Sequence, residues 1–320
     1  ELIQNAVDAV RERWYLENHT LPNTSNPQLP VARSADVTVW LGSLDPNGEF
    51  AEMEITDCGI GMHEQVITNF FLTVGASFRH SERWQKLFER ADLPHDPTKP
   101  RSKIVRAGRF GIGALAVFLL TDEFVVETRH LLSNIGFRFT IAVTTQAVTI
   151  EKVADLPVGT KIRFHVSRVT REKLSRSHSS QTKPSYWDWY LLPTPSVERL
   201  LSDRKTRLCG HARMDLDEWR VAPTDLPITI HWRFPSTGDQ LPALSCNGLF
   251  VSNSSSLPKI LPTHCGSVAY CVHTPFIHVT DPDGVLPLTI SRKEVAASEF
   301  GFEEDLFNSI VHDYFAKLLL

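Results

Sequence analysis

Glu1, Asn5 and Asp8 recur at intervals of four and three residues, with Leu2, Ile3, Ala6, Val7 and Val10 between them. That spacing predicts a helix with the three polar groups on one face and apolar residues around the rest. A solvated helix face usually carries Lys and Glu. This one carries a carboxylate, an amide and a second carboxylate, short oxygen donors that suit a hard cation such as Mg2+. Alone, the row is equally an ordinary polar stripe on an amphipathic helix.

Three further signals follow in order. Ile55-Thr-Asp57-Cys-Gly59-Ile-Gly61-Met62 comes after an alternating stretch, Phe50 to Ile55. A carboxylate at a strand end beside two glycines makes a buried acid next to a tight turn. Such an acid can accept a hydrogen bond from an exocyclic amine such as that of adenine, although a plain turn with an aspartate reads the same way. Gly108-Arg-Phe110-Gly111-Ile112-Gly113 opens the apolar run Ala114 to Leu120. Glycines before a helix let backbone N–H groups approach phosphate oxygens. The spacing is neither of the two familiar glycine fingerprints for nucleotides. Gly159-Thr160 then precedes a strand-like stretch, Lys161 to Val166.

The order and spacing of these four segments resemble the Bergerat-fold (GHKL) ATPases, the group that holds Hsp90, gyrase B, MutL and the histidine kinases. The resemblance implies a role for each matched residue. Glu1 is the general base for the attacking water, and Asn5 is the Mg2+ ligand. Asp57 binds the adenine amino group, Gly59 and Gly61 shape the base pocket, and Gly108, Gly111 and Gly113 cradle phosphates. Thr160 supports the Asp57–adenine contact. Asp8, Met62, Ser77, Phe110 and Ile112 complete the implied ATP pocket. Phosphoryl transfer asks the protein mainly for positioning and charge stabilisation, which these residue types can supply. Phe71 to Gly108 corresponds to the lid over the nucleotide. It carries Gly75-Ala-Ser77-Phe-Arg79, a predicted helix from Glu82 to Ala91, and Pro94, Pro97 and Pro100 among basic residues.

The second half sharpens the branch. Phe276 to Glu294 contains Asp281-Pro-Asp283-Gly284 and Leu286-Pro-Leu-Thr-Ile-Ser-Arg292-Lys293. It resembles the Hsp90 middle domain, whose arginine reaches the γ-phosphate, so Arg292 is the candidate catalytic arginine delivered from the second domain. Thr289 and Lys293 depart from that pattern. Lys293 keeps a MutL-like reading open, since a lysine is the usual trans group there.

The expected fold class is α+β: a two-layer α/β sandwich over residues 1–167, a linker over 168–195, and a smaller α/β transducer domain of the Hsp90 middle type over 196–320. Candidate strands are Asp36–Leu44, Glu49–Thr56, Glu123–Arg129, Ile135–Val143, Val148–Val153 and Thr160–Val166. A chain of 320 residues accommodates two domains. A net charge of −4 gives no general case for nucleic-acid binding. Five scattered cysteines suit reduced thiols in a cytoplasmic protein, and no apolar run reaches membrane-spanning length.

The resemblance implies ATP and Mg2+ as ligands, ATP hydrolysis driving a chaperone-like conformational switch, a protein client or partner domain, and a homodimer in a longer protein. The chain opens on the implied catalytic glutamate, so the helix that precedes it in the family is expected upstream. Two alternatives stand beside this reading: a nucleotide-gated module of a larger defence or signalling protein with little turnover, and a MutL-like DNA-repair ATPase.

Overall fold

The computed structural model describes residues 1–19, 35–73, 75–90, 99–106, 115–144, 147–175, 190–204, 214–234, 244–252, 264–265, 268–269, 275–289 and 301–318. The fold is α+β with mixed sheets. The chain divides into two compact units: residues 1–88, 108–179 and 193–210 in the first, and 89–107, 180–192 and 211–320 in the second.

The first unit is built on a seven-stranded sheet, in the order β5-β4-β3-β6-β2-β1-β7. Its strands are β1 (Val37–Leu44), β2 (Phe50–Asp57), β3 (Glu123–Arg129), β4 (Ile135–Ala142), β5 (Ile150–Ala154), β6 (Gly159–Ser167) and β7 (Val197–Leu200). All neighbours are antiparallel except β1 and β7, which run parallel. Val39 and Leu41, Met53 and Ile55, Val126, Phe139, Phe164 and Val166 are buried on alternate positions. This is the period of two that puts one face of a strand into the core. The opposite face is charged. Glu54 pairs with Lys161 and Arg204, and Glu127 pairs with Arg138 and Arg163.

Helix α1 (Leu2–His19) lays Ala6, Val7, Val10 and Leu16 into the core beside β1 and β2. After β2 come α2 (Glu64–Val66), a π-helical turn (Ile67–Phe71), a 3-10 turn (Phe78–His80) and α3 (Glu82–Phe88), which buries Trp84 and Phe88. Within the apolar run that follows the Gly108 to Gly113 segment, Leu115–Leu119 is a 3-10 turn. Helix α4 (Arg168–Ser175) follows β6 directly, and its Arg171 donates Nε–H to the Gly42 carbonyl. The segment expected as a linker thus begins with a helix. The strand β7, expected in the second domain, completes the first sheet instead, because Asp36 holds Ser196 through both its backbone N–H and its hydroxyl.

The second unit carries a five-stranded sheet, in the order β11-β10-β14-β9-β8. Its strands are β8 (Arg220–Ala222), β9 (Thr229–Arg233), β10 (Leu244–Cys246), β11 (Leu249–Ser252) and β14 (Phe276–Thr280), with a short ribbon of β12 (His264–Cys265) and β13 (Val268–Ala269) apart from it. Strands β10 and β14 are parallel. Ile230, Trp232, Leu244, Ile277 and Val279 form its core with Leu306 and Ile310 of α5 (Glu303–Leu318). The Trp232 indole donates to Ser309 on that helix at 3.0 Å. Among the described residues, no helix is long and apolar enough to cross a membrane.

Candidate nucleotide site

Helix α1 and the loop after β2 are tied together by backbone and side-chain hydrogen bonds. Ile60 donates its N–H to the Ala9 carbonyl at 2.9 Å, and Arg13 donates to the Cys58 carbonyl at 2.9 Å. Two glycines make this approach feasible. A Cβ on Gly59 would lie 2.5 Å from the Ala9 Cβ, and one on Gly61, at φ +68°, would lie 2.0 Å from the Arg129 carbonyl oxygen. Glycine is needed at both positions by closeness to neighbours, and at Gly61 by backbone conformation as well.

The result is a cavity of about 210 Å³. Its polar wall is Glu1, Asn5, Glu12, Asp57, Ser77, Arg79 and Thr160, and Ala9, Met62, Val66, Phe70, Phe71 and Ile162 supply the apolar wall. A second cavity of about 300 Å³ borders the same Asp57 and Thr160, with Asp36, Cys58, Glu127 and Lys161. It receives none of the polar row of α1, so the chemistry foreseen in the sequence gathers in the first.

Asp57 is the chemical centre of this cavity. Its Oδ1 accepts the N–H groups of Gly59 at 2.8 Å and Thr160 at 3.2 Å. Among the described residues, Oδ2 accepts no hydrogen bond. Burial pushes the carboxyl up to about 7, against the pull of those two N–H groups. A buried carboxyl with one oxygen spent on the backbone and one to spare fits the recognition of a group carrying both donor and acceptor, such as the adenine edge.

Thr160 stands behind it. Its hydroxyl lies 3.0 Å from the Thr128 hydroxyl, which donates to the Gly159 carbonyl and accepts the Met62 N–H. Thr128 is a member of this network that the sequence pattern did not mark.

Glu1, Asn5, Asp57, Gly61, Met62, Ser77 and Thr160, all singled out from sequence, line the cavity together, with Gly59 in the loop that borders it. Asp8 does not line it. The carboxylate is fully buried behind the wall, in an ion pair with Arg79 at 3.0 Å. Gly108, Phe110, Gly111, Ile112, Gly113 and the candidate catalytic Arg292 lie outside the described residues. Besides Thr128, two features were missed. Glu12, one helical turn beyond Asp8, continues the row, and the spacing 1, 5, 8, 12 already carried that signal. His63 and His130 lie with ring centroids 5.2 Å apart at the cavity edge. Burial, then the neighbouring His63 and Arg83, lowers His130 to about 4, and burial followed by Arg83 lowers His63.

A helix presenting an acid and an amide beside a strand-end aspartate and its two glycines, over a largely antiparallel sheet, is the arrangement that the GHKL resemblance implies around a nucleotide. No family model matches the chain. It is 28% identical over 226 residues to the chaperone protein HtpG of Chlorobium chlorochromatii, which covers 69% of this chain and 32% of that protein. It is 28% identical to HtpG of Oleidesulfovibrio alaskensis, over 56% of the chain and 25% of that protein. The figure for HtpG of Anaplasma phagocytophilum is 30%, over 51% and 22%. These matches are to chaperones of the Hsp90 family, so the chain resembles the Hsp90-like branch of the GHKL group. The matched stretch spans about a third or less of the length of these curated relatives.

Proposed function

We propose that this chain binds ATP with Mg2+ in the cavity beneath α1 and hydrolyses it, driving a chaperone-like conformational switch. The observation that carries this reading is Asp57: buried, held by Gly59 and Thr160 through one oxygen, with the other left to a ligand. The HtpG relatives, named as chaperones, support the coarser part of it.

The donor set fits the nucleotide. Asp57 and Thr160 would hold the adenine edge against Met62 and Phe71. Asn5 would hold Mg2+, since among the described residues its side-chain amide makes no hydrogen bond and lines the same wall as Glu1. Bound there, Mg2+ supplies charge neutralisation at the phosphates. Glu1, four residues and one helical turn before Asn5, would orient the attacking water and take its proton; a positioned carboxylate base typically contributes roughly 10²–10⁴-fold. Gly108, Gly111 and Gly113 would cradle the phosphates. The second unit would act as the transducer and deliver Arg292, with a partner domain or protein client, and a second copy of the full-length protein, as the objects of the switch.

The test is turnover. Phosphate release from ATP is measured for the parent, Glu1→Gln and Arg292→Ala. The reading predicts that Glu1→Gln loses turnover by about 100-fold or more while retaining ATP binding, and that Arg292→Ala is slowed with little loss of binding. Parental rates in both variants would overturn it.

A further inference from the structure

The polar row of α1 ends in a charge cluster that the proposed reaction does not use. Asp8 is fully buried and Glu12 is 6% exposed. Both face Arg79, which lies in the 3-10 turn Phe78–His80 at the start of the lid region. Arg79 Nη2 is 3.0 Å from Asp8 Oδ2, and Arg79 Nε donates to Glu12 Oε1 at 3.4 Å. The Trp84 indole donates to the same Glu12 oxygen at 3.0 Å, and Arg11 lies 3.8 Å from the other Asp8 oxygen. Burial draws the Arg79 guanidinium down, but Asp8, Glu12 and Glu1 outweigh it and leave it raised, so the side chain is charged. Burial raises Glu12 against the opposing pull of Arg79 and Trp84.

The consequence lies in the sign of the cavity. Its described acids are Glu1, Glu12 and Asp57, and Arg79 is its one described lysine or arginine. His63 and His130 add no charge at neutral pH, because burial lowers both. A nucleoside triphosphate brings several negative charges to a wall already acidic, and in a partly desolvated site such repulsion is weakly screened. Adenosine brings none.

We propose that Arg79 is the specificity-determining residue that shifts this cavity towards phosphorylated over unphosphorylated nucleosides, by offsetting the acidic row of α1 to which Asp8 and Glu12 fix it. Glu12 is its positioning residue. Arg79 is fixed by two carboxylates in different turns of the helix, a geometry that suits the guanidinium fork and not an ammonium. This inference rests on the nucleotide reading above, and it adds the residue that sets the charge preference of the site.

The experiment is calorimetry with ATP and with adenosine, both with Mg2+, on the parent, Arg79→Gln and Arg79→Lys. Arg79→Gln is expected to lower the ATP-to-adenosine affinity ratio by about tenfold or more, with adenosine affinity held within about threefold. Arg79→Lys, which keeps a positive charge on the acidic row, should hold the ratio closer to the parent's than Arg79→Gln does, and equal losses in the two variants would contradict the inference. An unchanged ratio in Arg79→Gln, or a parallel loss of both ligands, overturns the inference. Salt supplies a second test: the difference in ratio between the parent and Arg79→Gln shrinks as salt rises from about 50 to about 300 mM, because the charge that Arg79 contributes is screened. A difference that stays constant or grows with salt contradicts the inference. A parent that binds neither ligand sinks the nucleotide reading and this inference with it. A parent that binds both with a ratio indifferent to Arg79 sinks this one alone.

Discussion

Asp57 and Asp281 stand at equivalent places in their two units and are used in opposite ways. Each follows or closes a strand, β2 for Asp57 and β14 for Asp281, each is buried, and each precedes a glycine turn. Asp281 spends both oxygens on the backbone. Its Oδ1 accepts the N–H groups of Gly284 and Val285 and its Oδ2 that of Leu286, at 2.7, 2.9 and 2.8 Å. Asn247 completes the arrangement, accepting the Asp281 N–H and donating to its carbonyl, both at 2.7 Å. Both carboxylate oxygens of Asp281, and its backbone N–H and carbonyl, are satisfied by protein, so its role is structural. Asp57 spends one oxygen on the backbone, and burial raises its carboxyl to about 7. Burial of two acids in similar turns is therefore no guide to function. The unspent oxygen is.

The sharpest way to break the comparison is to remove the structural member. Asp281→Ala strips three charge-assisted bonds and leaves buried N–H groups unpaired, at a cost of about 3 kcal/mol or more. The urea midpoint of the second unit should fall accordingly, while adenine-nucleotide affinity moves by less than about threefold. A stable variant would mean that Asp281 is not the brace of its turn.

Gly61→Ala should cost about 2 kcal/mol, because its Cβ meets the Arg129 carbonyl oxygen and its backbone lies at φ +68°. Thermal unfolding reads this, and a variant as stable as the parent would show that the loop after β2 shifts freely.

A further prediction concerns pH. The folded Asp57 carboxyl, at about 7, lies above its ordinary value of 3.8. A raised acid contributes stability that is complete below the unfolded value and is lost as pH rises through the folded one. Measured against Asp57→Asn, the parent should therefore lose stability between about pH 4 and about pH 7. The comparison with the variant is essential, since His130, lowered to about 4, acts in the other direction over much of the same range. Parallel pH profiles would deny the raised carboxyl. Smallest of all, Arg138→Ala on the charged sheet face removes a partly exposed partner of Glu127, which keeps Arg163. It should change stability by less than about 1 kcal/mol, and a larger loss would mean that this face is braced by its ion pairs.

The strands of the first sheet were legible to within two residues at their ends, because one face is apolar and the other charged, and alternation records that directly. Strand β7 was not legible. It is four residues long, and its place beside β1 depends on Asp36 gripping Ser196 across 160 positions, a contact no local pattern encodes. In the site, the α1 row and the Asp57 loop could be read from periodicity and glycine spacing. Glu12 was legible in principle, as the next step of the same period. The pairing of Arg79 with Asp8 was not, because Arg79 sits in a stretch whose basic residues look alike in sequence. Only burial separates it from solvated neighbours such as Lys86, which pairs with Glu82 on an exposed surface.

The measurement that bears most directly on the whole account is calorimetric titration of ATP and ADP, with Mg2+, into the parent and into Asp57→Asn. Asparagine can keep the bonds from Gly59 and Thr160 on Oδ1 but presents a donor where the second oxygen stood. The account predicts binding to the parent, and an affinity lower by about 100-fold or more in the variant, about 2.7 kcal/mol, without loss of folding. Equal affinity in both proteins, or no binding by the parent, would contradict it.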